Sequence, residues 1–373
     1  MDGRPGNSYL EVNLGILRQN MEQILSELGD GVQVIPVVKD NLYGLGAAEA
    51  VRIYRDYPQI RTVAVSQVKE GLELRGLIPD REILVMGNTP AFQFQAAVAA
   101  GLTLTCGRSG MLAELAEAAG QLSLPAKVQL KIDAGLHRIG IEPQELPAWM
   151  EEYRRFQNRV SLTGVYSHFS DAGNERLDQQ QYRVFLDALR MLADAGIPVP
   201  LRHIAATASF ENYPGFSMDA VRIGRRLIMD RPGLPDGAIR EVASWRSYIT
   251  NLKPRKRGDA LGYGGAAVLS RDAMVATVCA GYGDGLNRDL VSIGGPVLVR
   301  GKRCRLLACC MDQCMLDVTD AEGAAVGDEV TFFGRDREGN FLSSQEVAAL
   351  VNGDEGCGLT TALSARVDRV YVP

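Results

Sequence analysis

Apolar residues recur along the first part of the chain in short β-prone runs, at 34–38, 62–66, 83–86, 102–105, 128–132, 162–167, 202–206 and 220–223. Between most of them the spacing shifts to a helical period, as in 47–54, 91–100, 111–119, 146–156 and 179–195, and a helix is expected ahead of the first run at about 12–28. Eight strands alternating with helices predict an α/β fold, a (β/α)8 TIM barrel rather than an open sheet. Pro36 inside the first run counts slightly against a regular central strand. The link between the last two runs is short and carries Pro214 and Gly215, so no helix is predicted there. Beyond about residue 239 the texture changes. Alternating and β-branched runs at 248–252, 274–278, 296–299, 305–307, 315–318, 329–333 and 365–372 are separated by glycine-rich turns and one helical stretch, 344–351. The pattern divides the chain into a barrel, 1–239, and a mostly β C-terminal domain, 240–373.

Composition narrows the function classes. The 373 residues are 46% hydrophobic with a formal net charge of -5, which gives no electrostatic reason to expect nucleic acid or a membrane surface as partner. No apolar run approaches the roughly 20 residues needed to span a bilayer. The opening Met-Asp-Gly-Arg-Pro-Gly-Asn lacks the apolar core of a secretory leader. Seven scattered cysteines are expected to be reduced thiols in a cytoplasmic protein. Cys304, Cys309, Cys310 and Cys314 lack zinc-site spacing, and neighbouring strand residues face opposite ways, so a structural role and no metal are expected.

The chemistry starts at the end of the first run, Val34-Ile-Pro-Val-Val-Lys39-Asp-Asn-Leu-Tyr43-Gly44-Leu-Gly46. A buried strand there delivers a lysine to its C-terminal tip, where the reactive groups of such barrels lie. Gly44 and Gly46 allow a tight turn, a close backbone approach to a ligand, and an anion-friendly helix start. A lysine desolvated in such a place can form a Schiff base. Alone, the stretch is equally compatible with a lysine that caps a strand. The other strand ends add Lys131 to Arg138, Tyr166 to Phe169, His203 to Thr207 and Val221 to Arg225. Together they make a basic mouth. Phosphate sites in these barrels use the loops after the last two strands, here Thr207 and Gly224-Arg225. A lysine facing a phosphate cradle is what pyridoxal phosphate needs.

These residues resemble the alanine racemases, the fold-type III enzymes that use pyridoxal 5'-phosphate. Residues 37–46 match every fixed position of the family's Val-Val-Lys-x-Asn-x-Tyr-Gly-x-Gly motif. Lys131-Ile-Asp-Ala-Gly-Leu-His-Arg138 and Tyr-Ser-His168-Phe resemble its second and third blocks. Gly262-Tyr263-Gly264, Gly281-Tyr282-Gly-Asp-Gly, Cys310-Met311-Asp312-Gln313 and the closing Arg366-Val-Asp-Arg369-Val-Tyr371 resemble blocks of its β domain. The likeness covers nearly the whole chain in register, and its motifs are specific.

The resemblance implies a set of roles. Lys39 would hold the cofactor and then act as acid or base on one face of the substrate's α-carbon. Tyr263, lent by the other subunit of a head-to-tail homodimer, would act on the opposite face. A phenol with a pKa near 10 is a poor base, and Arg138 is the cation the family places beside it. His168 would back the pyridine ring, and Tyr43, Thr207, Gly224 and Arg225 would hold the phosphate. Met311 and Asp312, like Arg138, would lie near the substrate carboxylate. Lys131 matches a lysine often carbamylated. Arg222 would face the pyridine nitrogen. A guanidinium only donates, so that nitrogen must accept, which favours racemisation over decarboxylation, where related enzymes place a carboxylate. The expected substrate is alanine or a related small or polar amino acid. A carrier that binds the cofactor without turnover is the alternative outside catalysis, and the Tyr263 block counts against it.

Four positions depart from the family pattern. Ala206 stands where an asparagine is usual, Arg225 replaces an apolar residue, Ala308 replaces an arginine, and Cys357 replaces a tyrosine that contacts phosphate. Either Arg225 substitutes as a phosphate ligand, which is the favoured reading, or it reads a polar or acidic substrate side chain.

Overall fold

The structure, a computed structural model, describes residues 6–29, 31–229, 239–351 and 356–373. Residues 1–5 of the leader reading, 230–238 at the expected domain boundary and 352–355 before Cys357 lie outside the described residues. Contacts divide the chain into two units, one of Met21–Leu42 and Ala47–Leu227, the other of Met1–Asn20, Tyr43–Gly46 and Ile228–Pro373. Strand β1 (Ser8–Asn13) opens the chain and pairs in the second unit's sheet.

The first unit is the predicted barrel. Its strands are β2 (Gln33–Pro36), β3 (Thr62–Val65), β4 (Glu82–Val85), β5 (Thr103–Cys106), β6 (Ala126–Lys131), β7 (Val160–Tyr166), β8 (Arg202–His203) and β9 (Ala220–Ile223). Strands β3 to β8 form one parallel sheet and β2 pairs in parallel with β9. Single bridges, Val37↔Ala64 and Ala206↔Arg222, close the ring. Every residue of β3, β5 and β9 is buried, because side chains fill the inside of such a barrel while helices cover its outside. Pro36 is tolerated because Val37 N carries the hydrogen bond to Ile223 O, 2.7 Å. The link between β8 and β9 does hold a helix, Thr207–Asn212, closed by a 3-10 turn at Pro214–Phe216. Pro214 falls after the helix has ended, where it breaks nothing.

The second unit is mostly β. Its further strands are β10 (Ala243–Arg255), β11 (Ala260–Leu261), β12 (Ala267–Val268), β13 (Ala273–Val278), β14 (Pro296–Val299), β15 (Lys302–Cys309), β16 (Cys314–Asp317), β17 (Glu329–Arg335), β18 (Phe341–Leu342) and β19 (Asp368–Val372). Pairings β10–β13–β16–β15–β14–β17, and β17 back to β10, make a closed six-stranded ring. Strand β1 lies antiparallel to β10 and parallel to β19. A division at 239 leaves Ser8–Asn13 with the barrel, whereas its hydrogen bonds run to this sheet. The helix expected over 12–28 accordingly begins later, at Leu14–Glu27. Among the described residues no helix is long and apolar enough to cross a membrane.

Candidate active site

Lys39 follows β2 and opens a left-handed turn. Asp40, Asn41, Leu42 and Tyr43 all have φ between 51° and 55°, a conformation that costs roughly 1–2 kcal/mol per non-glycine residue. Four interactions of the barrel unit oppose that cost. Leu42 is buried and its N–H donates to Val38 O, 2.9 Å. Ala47 N donates to Asn41 Oδ1, 2.9 Å. Asp40 N donates to Glu70 Oε1, 2.5 Å, while Glu70 Oε2 accepts from Ser66 N and Gln67 N at 2.7 and 2.8 Å. Glu70 thus clamps the lysine's turn to the start of the helix Val68–Arg75. The strain is local and sits beside Lys39, the expected reactive residue, and strained backbone tends to cluster at functional sites.

One expectation about the glycines is corrected. The helix Ala47–Tyr54 has its first amide accepted by Asn41 Oδ1. The close backbone approach is made by the chain's own C-terminal segment. A Cβ on Gly44 would lie 2.3 Å from Thr360 O, and one on Gly46 2.1 Å from the Tyr371 hydroxyl oxygen. Arg369 completes that packing by donating to Gly44 O at 3.0 Å and to Leu363, Ser364 and Val367 carbonyls.

Inside the barrel, Arg222 is 3% exposed and surrounded by acceptors. It donates to Ser167 O and Ile204 O, both 2.8 Å, to His168 Nδ1 at 3.1 Å and to His203 Nδ1 at 2.5 Å. Burial lowers its pKa to about 10, leaving it charged at neutral pH. His168 is pushed down to about 3 by burial and then by Arg222, Lys131, Arg138 and Lys39. It is therefore a neutral ring. Lys131 is buried over the Tyr166 ring, 5.6 Å to the centroid, and burial with Arg138 and Arg222 lowers its amine to about 8. Asp133 turns its carboxylate to the Gly135 and His137 amides, 2.9 and 3.0 Å, and so shapes the loop that carries the exposed Arg138. Gly224 N donates to Thr207 Oγ1, 3.4 Å, bringing those two expected phosphate ligands together. Arg226 is buried and turned elsewhere, to Glu27 at 2.5 Å and Glu211 at 3.2 Å. It anchors the loop that presents Arg225.

The expected residues of the β unit lie on turns. Tyr263 is 87% exposed in a 3-10 turn, Tyr263–Gly265, whose Gly262, Gly264 and Gly265 have φ of 73°, 68° and 70°. Buried Ala308 lies beneath Gly262, where an added Cβ would meet the alanine methyl at 3.1 Å. Met311, 58% exposed, and Asp312 sit at the tip of the β15–β16 hairpin. That tip is pinned by Tyr282 N to Cys310 O, 3.1 Å, and Gly283 N to Met311 O, 2.7 Å. Buried Asp284 holds the same loop by accepting from Gly281 N, 2.8 Å, and Arg366 Nε, 3.0 Å. Cys309 lies directly opposite Cys314 at the hairpin's neck, and none of the seven cysteines forms a disulfide.

A flat, anionic cofactor suits the barrel groups. Four cations, Lys39, Lys131, Arg138 and Arg222, act on the neutral His168, and the neighbouring carboxylate of Asp133 is spent on backbone amides. Sequence reading missed Glu70 and Gln129. Glu70 is recognisable as the third helical residue after Gln67, a position from which glutamate reaches back to the cap amide. No local pattern marks Gln129, whose partners lie on other strands.

Comparison with known proteins shows the family. The model of the alanine racemase N-terminal domain matches residues 12–232, and that of the alanine racemase C-terminal domain matches residues 242–371. Alanine racemase 2 of Caldanaerobacter subterraneus subsp. tengcongensis is 34% identical over 373 residues, covering 97% of this chain and 94% of that protein. The solved alanine racemase of Clostridium difficile 630 superposes with a TM-score of 0.91 at 26% identity, covering 100% of this chain and 97% of the other. The biosynthetic alanine racemase of Pseudomonas aeruginosa gives 0.82 at 31% identity, covering 99% and 100%. The chain belongs to the alanine racemase family of pyridoxal-phosphate-dependent isomerases.

Proposed function

We propose that this chain interconverts L- and D-alanine, and accepts other small or hydroxylated amino acids such as serine, with Lys39 and Tyr263 as its two opposed acid–bases. Bound pyridoxal phosphate supplies the electron sink that acidifies the substrate's α-hydrogen. Arg222 carries the choice of reaction. Among the described residues its hydrogen-bond partners are all neutral acceptors, none of them a carboxylate, and it stays charged. A group held this way can only donate to a ring nitrogen, which limits charge build-up on the ring and favours proton return over decarboxylation. Lys39 takes or returns the proton on one face and Tyr263 on the other, with Arg138 favouring the phenolate and the substrate carboxylate. His168 backs the ring. Tyr43, Thr207, Gly224 and Arg225 hold the phosphate, with Arg225 compensating for Cys357. Met311 and Asp312 meet the carboxylate end. Lys131, whose lowered pKa keeps part of it as the free amine that adds carbon dioxide, is carbamylated in this reading.

The division of labour is a cofactor domain over 1–239, apart from strand β1, which pairs in the other sheet, and a tyrosine-bearing domain over 240–373. The exposure of Tyr263 supports a head-to-tail homodimer in which each copy completes its neighbour's site. Seven cysteines, none in a disulfide, support a cytoplasmic home. Chiral analysis of holoenzyme with a panel of L-amino acids in deuterium oxide tests the reaction. Alanine is expected to racemise fastest, gaining one deuterium at the α-carbon. Release of carbon dioxide with retained configuration would overturn the assignment.

A further inference from the structure

Below the strand tips the barrel interior holds a line of polar side chains contributed by separate strands. Arg222 on β9 donates to His203 Nδ1 on β8, and His203 Nε2 lies 2.8 Å from Gln129 Oε1 on β6. Gln129 Nε2 donates to Glu82 Oε1 on β4, 3.1 Å, and Thr163 Oγ1 on β7 donates to the same oxygen, 3.2 Å. Gln129 and His203 are fully buried. Strands β4, β6 and β8 are alternate strands of the ring, the arrangement by which a barrel stacks one interior layer.

The two ends of this line fix everything between them. Arg222 has only donors, so His203 Nδ1 must accept and the ring's single proton must sit on Nε2. A carboxylate at Glu82 has only acceptors, so Gln129 must donate with its nitrogen and turn its oxygen to His203. Each bond then runs one way, from Arg222 to the carboxylate, and neighbouring bonds of one sense polarise each other. A protonated His203 has no place in the line, since Nδ1–H would face an N–H of Arg222. Burial and that arginine indeed hold its pKa far below the ordinary value.

We propose that Gln129 and Glu82 are positioning residues for Arg222, acting through the Nε2–H tautomer of His203 to fix where the guanidinium points. The link to catalysis rests on the reading of Arg222 as the group that meets the pyridine nitrogen.

The chain has three histidines, His137, His168 and His203, so 15N-histidine labelling of the apoprotein yields three ring systems. His203→Asn identifies the relevant one. The wild-type His203 ring is expected to carry its proton on Nε2 alone. Gln129→Met should remove the acceptor and speed exchange of that proton with water at least about tenfold, the loss expected of one buried hydrogen bond or more. The double variant Glu82→Gln with Gln129→Glu transposes the charge, keeps an acceptor at His203 and should restore the wild-type signals. A proton on Nδ1 in the wild type, or signals indifferent to Gln129→Met, would overturn the proposal. In holoenzyme, pyridoxal phosphate should dissociate about fivefold more readily from Gln129→Met and recover in the double variant, which corresponds to one net hydrogen bond. Ring signals that move while cofactor affinity stays fixed would leave the relay standing and sink the pyridine assignment of Arg222.

Discussion

The turn that carries Lys39 and the turn that carries Tyr263 solve the same problem by opposite means. Both need backbone at positive φ. The lysine's turn forces four non-glycine residues into it and restrains them with Glu70, Asn41 and a buried Leu42. The tyrosine's turn uses three glycines, for which positive φ carries no steric penalty, and leaves the ring 87% exposed. The first is over-determined by its own chain. The second is geometrically ready but uncovered, as a residue lent to another copy would be. In the proposed homodimer, each site would take one turn of each kind, the restrained one from its own chain and the uncovered one from its neighbour.

The largest test of that contrast removes each residue in turn. Lys39→Ala should abolish racemisation, and borohydride reduction of the wild type should join the cofactor to residue 39 by mass spectrometry. Tyr263→Phe removes one of two acid–bases, a loss on the order of 10²–10⁴-fold. Mixing the two inactive variants then decides who completes whose site. If Tyr263 serves its neighbour, random subunit exchange makes half the dimers mixed, each with one intact site. Activity should return to about a quarter of wild type by that symmetry argument. No recovery in a mixture shown to exchange would place both residues in one chain's own site and break the comparison.

Glu70 is the next lever. It accepts three backbone amides, two at the helix start and one from Asp40. Glu70→Ala should cost about 2 kcal/mol of unfolding free energy, from a lost cap and a lost charge-assisted bond. It should also lower kcat by about tenfold, since a misplaced reactive group is costly even when the displacement is small. Glu70→Gln, which keeps one acceptor oxygen, should fall between. Urea unfolding beside steady-state kinetics reads both. A kcat unchanged in a destabilised Glu70→Ala would show that the clamp serves the fold alone.

The two turns also differ in how far sequence exposes them. Eight apolar runs gave the barrel because burial on both faces leaves a period-independent signature, and the Lys39 and Tyr263 motifs are contiguous. Strand β1 went unread because six residues of alternating pattern, running straight into a helix, carry too little signal. Its pairing with β10 spans more than half the chain. The left-handed turn was invisible for another reason. Nothing in Asp-Asn-Leu-Tyr demands positive φ, and part of the restraint comes from Glu70, a residue outside the motif. Gly44 and Gly46 were legible as glycines needed for a close approach, but what approaches is Thr360 and Tyr371, at the far end of the sequence. The Gln129 line was unreadable because its members meet only once the barrel has closed.

The smallest effects sharpen the contrast most, because they carry opposite signs. Asp40→Gly keeps the amide that Glu70 accepts and relieves one exposed left-handed residue. The relief, less the extra entropy a glycine brings to the unfolded chain, should raise stability by up to about 1 kcal/mol. Gly264→Ala adds a methyl into open space, since nothing lies within 4 Å of its Cβ position. Its whole cost is therefore backbone strain at φ 68°, about 1 kcal/mol. Unfolding midpoints should move up for the first and down for the second. Activity should separate from stability only at Lys39, where a looser turn costs a few-fold in kcat despite the firmer fold. If Asp40→Gly lowers stability, the turn was not strained, and the tension between restraint and backbone beside Lys39 disappears with it.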